Sequence, residues 1–530
     1  MAERADVIVI GAGHNGLVAA GYLARSGLDV LVLEANDWIG GCTTSTALLP
    51  AAPEHRMSPC ADDVIALRDT TVGVDLELAR FGYREVEIDP PYLALAPDGA
   101  SLALHRHAER TAAEIRHFAP QDAAAYLRLI EDLRPACDAA MTLMATNPVR
   151  PDPRAVAGAV RALLRRPRAL PEVVGLTRTS AADAIRERFT HPLVQAMLAN
   201  LASYGCPITW DRSGVNLMIV PMIMRAGMAR PTGGMGTLPA ALERSFTASG
   251  GRIRTAARVE EFLMSAGRVI GVRLHSGEEI RAATVLAATE PWRVLNQFLP
   301  PGTLPAKLAA RAADIPTRSA GCAHFKIEVA FRGRLTLPAH QKARRDDLDV
   351  RIPTHMVGTI EEICAAIDDA GAGRLPDPLP FASMVKSAAD PAVAPTGQEL
   401  LGLWSGWVPL HPEESWDSLK ATAEKSLIAQ AQHYYAGFEE LEIGRWVESP
   451  PEMTARTNVP DGNVYHVDLT PSRMGPLRPA RGFAGYRTPV PGLYLSGGGT
   501  HPGPSVSGLP GQQAARTLLR DLRRKRMPNR

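Results

Sequence analysis

The first 36 residues follow a strand–turn–helix–strand pattern whose glycine spacing restricts how they can fold. Residues 7–10 form a continuous apolar run, and Gly11, Gly13 and Gly16 follow in the G-x-G-x-x-G spacing. Gly11 permits a tight turn, Gly13 lets backbone approach a pyrophosphate, and Gly16 allows the next helix to pack on the sheet. The pattern predicts a βαβ unit that binds an ADP-containing dinucleotide at a helix N-terminus. The alternative is a glycine-rich turn without a ligand.

The next strand of the pattern, DVLVLE, ends at Glu34. A carboxylate at this place accepts hydrogen bonds from both ribose hydroxyls, which favours an unphosphorylated ribose. The turn alone does not distinguish NAD from FAD. A nicotinamide dehydrogenase usually continues with further βα units, whereas this strand runs into EANDWIGGCTTS and irregular sequence. Near the C-terminus, GLYLSGGGTHPGPSVSGLPGQQAARTLLRDL predicts a strand, a glycine run and a helix that starts near Leu509.

Composition and charge exclude several classes of protein. The chain of 530 residues is long enough for two or three domains. Its formal net charge of +2 gives no electrostatic footprint for nucleic acid. No run of about 18 apolar residues predicts a transmembrane helix. The N-terminus enters its first strand within a few residues, which leaves no room for a signal peptide, and the six scattered cysteines form no metal-ligand cluster. We therefore expect a cytoplasmic protein with reduced thiols, no metal and no nucleic-acid partner.

Segments at both chain ends and in the middle resemble one known family. They are GAGHNGL, EANDWIGGCTTS, RPTGGMGTLPAALERSF, GNVYHVDLTPSRMGPLRP and GLYLSGGGTHPGPSVSGLPGQQAA. Together they are similar to the phytoene dehydrogenase-like flavoproteins, which include carotenoid desaturases and ketolases and lie within the amine-oxidase type of flavoprotein. The resemblance implies an α/β fold: an FAD-binding Rossmann-like domain of the two-dinucleotide-fold type, with a mixed α+β substrate domain.

The resemblance also implies FAD as the cofactor and assigns residues to it. These are Gly11, Gly13, Asn15 and Gly16 at the pyrophosphate, Glu34 with Ala35 beside it at the adenosine ribose, Gly41, Cys42 and Thr43 along the ribityl side, Val259 at the adenine, and Gly498, Gly499, Val506 and Ser507 at the flavin end. The chain departs from the family at Cys42, where many relatives have an arginine or a small residue, and in the stretch GPSVSGLPG, which is less rich in glycine. Neither departure argues against FAD.

Pattern and resemblance together predict two domains that are discontinuous in sequence. The FAD-binding domain is expected to comprise residues 1–75, 227–298 and 452–530. The substrate-binding domain is expected to comprise residues 76–226, mostly helical by periodicity, and 299–451, which contains the strand-like CAHFKIEVAF and LLGLWSGWVPL.

Three residues are candidates for a part in catalysis. Lys326 lies in the otherwise apolar CAHFKIEVAF, and a lysine on the similar strand of amine-oxidase relatives holds a water near flavin N5; the alternative is a snorkelling lysine at a strand edge. His501 follows the glycine run and is expected to sit over the pyrimidine edge of the flavin or to donate to a ring oxygen; the alternative is a turn histidine bonded to local backbone. His466 is expected to face the substrate cavity, with Tyr465 or Trp404 as aromatic walls.

These observations predict an FAD-dependent oxidoreductase that removes a hydride from a carbon centre of a small, largely apolar organic substrate, as in desaturation. Because no second glycine fingerprint and no C-x-x-x-x-C pair is present, we expect reoxidation by oxygen, a quinone or another carrier rather than by NAD(P)H or a disulfide. The alternatives are an amine-oxidase-type flavoenzyme and a non-catalytic FAD-holding scaffold. The stretch AVAGAVRALLRRPRALPEVVGL is interpreted either as a solvated helix face or as a peripheral membrane contact.

Overall fold

The N-terminal strand lies inside a seven-stranded sheet. The computed structural model describes residues 3–204 and 206–526. Arg4–Ile10 pairs in parallel with Val30–Leu33 on one side and with Glu279–Ala287 on the other, which accounts for its buried, continuously apolar C-terminal half. The remaining strands of this first sheet are Arg252–Arg254, Val259–Ser265, Arg268–Leu274 and Leu493–Leu495.

The two ends of the chain pack against each other on the first sheet. The helix His14–Ala24 follows the glycine turn, and the terminal helix Leu509–Arg526 begins where the sequence predicts. The helices approach so closely that a Cβ added at Gly511 would lie 2.2 Å from the carbonyl oxygen of Asn15. His14 Nε2 lies 3.2 Å from the carbonyl oxygen of Ser505, which links the glycine turn to the C-terminal motif.

A second seven-stranded sheet carries the strand predicted around Lys326. Its order is Glu442–Glu448, Cys322–Phe331, Glu399–Pro409, Phe381–Val385, Thr354–Val357, Tyr92–Leu95 and Ser101–Leu104. All neighbours are antiparallel except Thr354–Val357 and Tyr92–Leu95, which are parallel. The strand Cys322–Phe331 therefore has a partner on each side and is not an edge strand.

Helices and one small sheet complete the fold. Residues 76–226 are mostly helical, as predicted from periodicity, and the strands Glu85–Ile88 and Met228–Pro231 pair antiparallel. In the described part of the chain, the α-helices of at least eight residues are His14–Ala24, Ala108–Phe118, Pro120–Met144, Pro153–Leu164, Ala181–Arg188, Pro192–Ala202, Ile219–Ala226, Thr237–Ala248, Ala306–Ala313, Ile360–Gly371, Trp416–Gln432, Pro450–Thr457 and Leu509–Arg526.

The strands divide between the two sheets in the way that the predicted domains divide the chain. Every strand of the first sheet falls within 1–75, 227–298 or 452–530, and every strand of the second falls within 76–226 or 299–451. The domain boundaries themselves stay a prediction, and residues 1, 2 and 527–530 of the first predicted domain lie outside the described residues.

Candidate functional site

A cavity opens at the carboxyl ends of the first strands of the first sheet, and ten predicted site residues line it. They are Gly11, Gly13, Asn15, Glu34, Ala35, Gly41, Cys42, Val259, His466 and Gly498. The residues come from both chain ends and from the middle segment, so the fold brings together positions that the sequence places more than 400 residues apart. A crevice at the carboxyl ends of parallel strands is the usual ligand site of such sheets.

Glu34 lies at the end of the second strand with its carboxylate already ordered. Its Oε2 accepts from the backbone N–H of Ala12 at 2.8 Å, and its Oε1 accepts from that of Asn36 at 3.0 Å. Burial raises the pKa of this carboxyl group, while the two N–H donors oppose the shift. Carboxylate oxygens accept more than one hydrogen bond each, so Glu34 keeps acceptor capacity for a ribose at the cavity wall.

The three glycines of the turn meet three different requirements. Gly11 has φ +97°, a left-handed conformation that side chains disfavour. A Cβ at Gly16 would lie 2.0 Å from the carbonyl oxygen of Gly11, so helix and strand could not meet with any other residue there. Gly13 has open space instead, with nothing within 4 Å of an added Cβ, which leaves its backbone accessible from the cavity.

Five predicted cofactor residues lie outside the cavity lining. Thr43 is fully buried and donates to the carbonyl oxygen of Gly40, while an added Cβ at Gly499 would lie 2.3 Å from Pro291. Ser507 Oγ accepts from the N–H of Leu509 and caps the terminal helix. Gly16 packs beneath the turn, and Val506 packs on the core of the first sheet. Their contact with a cofactor stays a prediction.

Two arginines that sequence reasoning missed also line this cavity. Within residues 3–204 and 206–526, neither Arg258 nor Arg293 forms an ion pair, and Nε of Arg293 is buried without a partner. Burial lowers the pKa of Arg293, the charge of Glu290 opposes the shift, and the charge of Arg258 adds to it. Asn15 Oδ1 is likewise buried without a partner. A cavity with an exposed glycine backbone, two arginines without a direct ion pair and a carboxylate end fits the pyrophosphate and ribose of FAD.

A second cavity has aromatic walls and lies next to the loop that carries His466. Its aromatic lining consists of Tyr204, Trp210, Phe381, Trp404, Trp407 and Tyr465. Tyr465 and His466 are adjacent in sequence, yet the first lines the aromatic cavity and the second lines the cavity of the glycine turn. The two aromatic walls expected from the sequence, Tyr465 and Trp404, therefore belong to one cavity. His466, which was expected to face that cavity, instead lines the cavity of the glycine turn, hereafter the cofactor cavity.

The position of His466 depends on Arg478, another residue that sequence reasoning missed. The Arg478 side chain is fully buried, and its guanidinium donates to the carbonyl oxygens of Tyr465, Val467, Asp468, Arg473 and Gly498 at 2.8–3.4 Å. These bonds tie the loop to the glycine run. Burial lowers the pKa of His466 to about 4, and the charge of Arg478 adds to the shift. His466 is therefore a neutral imidazole at pH 7.

His501 is buried away from both cavity linings. Its pKa is lowered to about 4, chiefly by burial, while the backbone at Leu143, Met144 and Thr146 opposes the shift. That backbone belongs to the C-terminal end of the helix Pro120–Met144 and the residues after it. His501 therefore faces a distant segment of backbone, not the backbone of its own turn. A catalytic role for His501 stays a prediction without geometric support.

Lys326 lines neither cavity. Its Nζ donates to Asp62 Oδ2 at 2.6 Å and to the carbonyl oxygen of Cys60 at 3.1 Å, and it lies 5.7 Å from the ring centre of Trp404. Nearby acids raise the pKa of Lys326 although burial opposes them. The alternative of a snorkelling lysine at a strand edge is wrong, because the strand is internal and the residue is 3% exposed.

Comparisons with known proteins agree with this geometry. The model of the flavin-containing amine oxidoreductase family matches residues 163–508, and that of the NAD(P)-binding Rossmann-like domain matches residues 9–59. The chain is 29% identical to pyridine nucleotide-disulfide oxidoreductase domain-containing protein 2 of Rattus norvegicus, over 98% of this chain and 94% of the relative. It is 26% identical to hydroxyneurosporene desaturase of Cereibacter sphaeroides, over 97% and 98% of the two chains.

The fold has solved counterparts as well. An oxidoreductase from Methanosarcina mazei superposes with a TM-score of 0.63 at 16% identity, over 97% of this chain and 99% of that chain. No helix in the described ranges is long and apolar enough to cross a bilayer. The cavity fits FAD, and the family model spans more than half of the chain, with strands of both sheets. The chain therefore belongs to the flavin-containing amine oxidoreductases and is an FAD-dependent oxidoreductase.

Proposed function

We propose that the protein removes a hydride from a carbon centre of an organic substrate bound in the aromatic cavity. The observation that carries the proposal is the loop of residues 463–468. It forms part of the wall of the aromatic cavity through Tyr465 and part of the wall of the cofactor cavity through His466. A substrate and a flavin bound in these two cavities would both lie against this loop, and hydride transfer requires that the reacting carbon and the flavin ring meet beside it. FAD, when bound, accepts the hydride.

The residues of this chain would act by binding and positioning. Glu34 would hold the adenosine ribose, the backbone around Gly13 would approach the pyrophosphate, and Gly498 with His466 would lie at the flavin end. His466 is neutral at pH 7, so it can donate one hydrogen bond without placing a positive charge in the cavity. The aromatic walls would exclude water from the substrate and hold its apolar part flat.

Desaturation is the reaction that we favour. The similarity to a hydroxyneurosporene desaturase covers nearly the whole of both chains, and it supports removal of hydrogen from a carbon chain or ring. The family also supports an amine-oxidase reaction, in which the carbon carries nitrogen. A non-catalytic scaffold is disfavoured because the aromatic cavity is open space and is not filled by side chains. Reoxidation by oxygen, a quinone or another carrier completes the proposal.

The test is an anaerobic screen of the purified, FAD-loaded protein. Alkenes, alicyclic compounds, amines and carboxylic acids of increasing size are added one at a time, and bleaching of the oxidised flavin band is followed. We expect at least one compound with an apolar body to bleach the flavin within a catalytic timescale. Reduction by amines alone would assign the amine-oxidase reaction. No reduction by any class, with dithionite still reducing the flavin, would contradict the proposed function.

We also propose a peripheral membrane contact through the helix Pro153–Leu164. Val160 and Leu164 are 49% and 65% exposed and follow Val156 on one face, with Arg161 on the same turn. Exposed apolar side chains at this spacing, with arginine nearby, favour an interface with an anionic lipid surface over a solvated face.

A further inference from the structure

The aromatic cavity contains a guanidinium group with unused donors. Arg318 lines the cavity just before the strand Cys322–Phe331. Its Nη1 donates to the carbonyl oxygen of Cys322 at 3.1 Å, and its Nη2 donates to His324 Nδ1 and to the carbonyl oxygen of Gly462, each at 2.9 Å. A guanidinium has five N–H donors, so two remain. They are one N–H of Nη1 and the N–H of Nε, which is buried without a partner.

No direct ion pair within 4 Å balances the charge of Arg318 among the described residues. Burial lowers the pKa of its guanidinium. Asp468 and Asp461 act on it from farther away. Asp468 accepts from the N–H of Ser319 at 2.9 Å and from Asn463, and it is also the acid that acts on the buried Arg478. A buried cation that shares its acid with another cation is costly, and a bound anion would offset that cost.

His324 provides a second donor beside Arg318. Because arginine only donates, the Nδ1 of His324 must accept, so the proton of the neutral ring is on Nε2. The ring is neutral because burial and the charges of Arg318 and Lys326 lower its pKa well below the usual value. Nε2 lies beside Gly406, another lining residue, at 3.8 Å from where a Cβ would be. The polar end of the cavity thus presents a cation, a neutral donor and the carboxylate of Asp468, which already accepts from Ser319 and Asn463.

Much of the remaining wall is aromatic. Three tryptophans, Trp210, Trp404 and Trp407, line the same cavity. Tyr465 stacks edge-to-face on His324, with ring centres 5.7 Å apart, so the aromatic wall begins directly beside the donor pair. A ligand that satisfies both parts of the cavity has an anionic head and an apolar body.

We propose that the substrate of this enzyme is an apolar carboxylic acid, whose carboxylate binds Arg318 and His324 while its apolar body packs on the tryptophan wall. A carboxylate accepts two hydrogen bonds side by side and therefore suits a guanidinium N–H next to an imidazole N–H. The inference rests on the proposed function, because it names the substrate class of the same site.

The experiment measures binding apart from turnover. Benzoate, cyclohexanecarboxylate, 3-phenylpropanoate and decanoate, each with its amide and its amine, are titrated into oxidised holoenzyme. Binding is followed by flavin absorbance and by tryptophan fluorescence. For at least one apolar body, we expect the carboxylate to bind tenfold or more tightly than both the amide and the amine. A panel in which the amide or the amine binds as tightly as the carboxylate throughout overturns the proposal.

Variants locate the effect at the donor pair. Arg318→Gln should abolish the preference for carboxylate, and Arg318→Lys, which keeps the charge, should retain part of it. Arg154→Gln, at an exposed position of the helix Pro153–Leu164, is the control and should behave as wild type. A preference that survives in Arg318→Gln overturns the proposal. If Arg318→Gln does not fold, the wild-type panel and Arg318→Lys decide.

The two proposals fail in different ways. If amides or hydrocarbons reduce the flavin and carboxylates show no advantage, the proposed function stands and the carboxylate inference is wrong. If carboxylates bind through Arg318 but nothing reduces the flavin, the cavity is an anion site without the proposed reaction, and the substrate assignment is overturned together with the proposed function.

Discussion

The Nζ atom of Lys326 lies 2.6 Å from Oδ2 of Asp62, and both side chains are buried. Lys386 pairs with the same aspartate and with Glu328, which itself lies 3.3 Å from Lys326. Two cations and two anions thus form a closed cluster with no formal net charge. Such clusters are destabilised strongly when one partner is removed, since the remaining charge stays buried.

Lys326→Met is expected to lower the free energy of unfolding by about 3–5 kcal/mol, because two buried carboxylates then share one cation. The double variant Lys326→Met/Glu328→Gln removes one charge of each sign and should recover part of the loss. Urea unfolding with excess FAD measures both. Equal stability of wild type and Lys326→Met would contradict the ion-cluster interpretation.

The catalytic role predicted for Lys326 makes a separate kinetic claim. Flavin reduction or reoxidation should slow by about 10²–10⁴ in Lys326→Met, the usual range for a positioned proton-transfer group. Stopped-flow measurements of both half-reactions, at a temperature where the variant is folded and FAD is bound, show which half is affected. Unchanged rates in both halves would leave Lys326 with a structural role only.

Glu34→Gln is expected to weaken FAD retention while the chain stays folded. The Glu34 carboxylate accepts hydrogen bonds from the N–H groups of Ala12 and Asn36. In glutamine, the amide nitrogen would face one of these two donors and could not accept from it. Loss of a charge-assisted hydrogen bond weakens the binding free energy of FAD by about 1.5–3 kcal/mol, which raises the dissociation constant roughly ten- to hundredfold. Equilibrium dialysis measures it. Glu131→Gln, at an exposed helical position, is the control. An unchanged dissociation constant in Glu34→Gln would contradict the predicted contact between Glu34 and the ribose.

Arg478→Lys is expected to destabilise the loop between the cavities. An ammonium has three donors and cannot reach five carbonyl oxygens, and each buried acceptor left without a partner costs about 1–3 kcal/mol. We expect a lower unfolding midpoint and faster release of FAD, because Gly498 is one of the five acceptors. Arg473→Lys, at a partly exposed neighbour in the same loop, is the matched control. Equal losses in both variants would argue against a special role for Arg478.

His466 predicts a dependence of stability on pH. Its pKa is about 4 in the folded chain against about 6.5 unfolded, so the unfolded state binds a proton first as the pH falls. This contribution to stability is present above pH 6.5 and is lost between pH 6.5 and 4, by at most about 3 kcal/mol. Urea unfolding at pH 7.5 and pH 5 should show a smaller difference in His466→Gln than in wild type. The exposed His411→Gln should leave the difference unchanged.

The membrane proposal predicts binding to vesicles that contain anionic phospholipid. Val160→Asp/Leu164→Asp should reduce the bound fraction by at least about tenfold, because burial of each apolar side chain contributes about 1.5–3 kcal/mol. Val74→Asp, which changes an 81% exposed valine elsewhere in the chain, should have no effect. Co-sedimentation measures binding. Equal binding of all three proteins would contradict the contact, and a wild-type dimer that the double variant breaks would assign this face to a second copy of the chain.

The amino-acid sequence determined those features that depend on residues close together in the chain. The glycine turn, the helix that follows it and the placement of Glu34 at a strand end all lie within residues 7–34, so spacing alone predicts them. The strand Cys322–Phe331 and the start of the terminal helix at Leu509 are local in the same sense. The resemblance extended this to FAD, because the segments that contact one ligand keep a recognisable order.

Tertiary structure alone decided which polar groups meet. Lys326 and Asp62 are separated by 264 residues and Arg478 and Gly498 by 20, and no periodicity links either pair. Arg318 and His324 are near in sequence, but the hydrogen bonding and charge environment of Arg318 depend on Gly462 and Asp468, which only the fold brings close. Tyr465 and His466 line different cavities, and Arg478 holds their loop by hydrogen bonds to its carbonyl oxygens. The burial of a charged side chain and the charges around it depend on the whole packed structure. The partner of a charged residue therefore cannot be predicted from its position in the sequence.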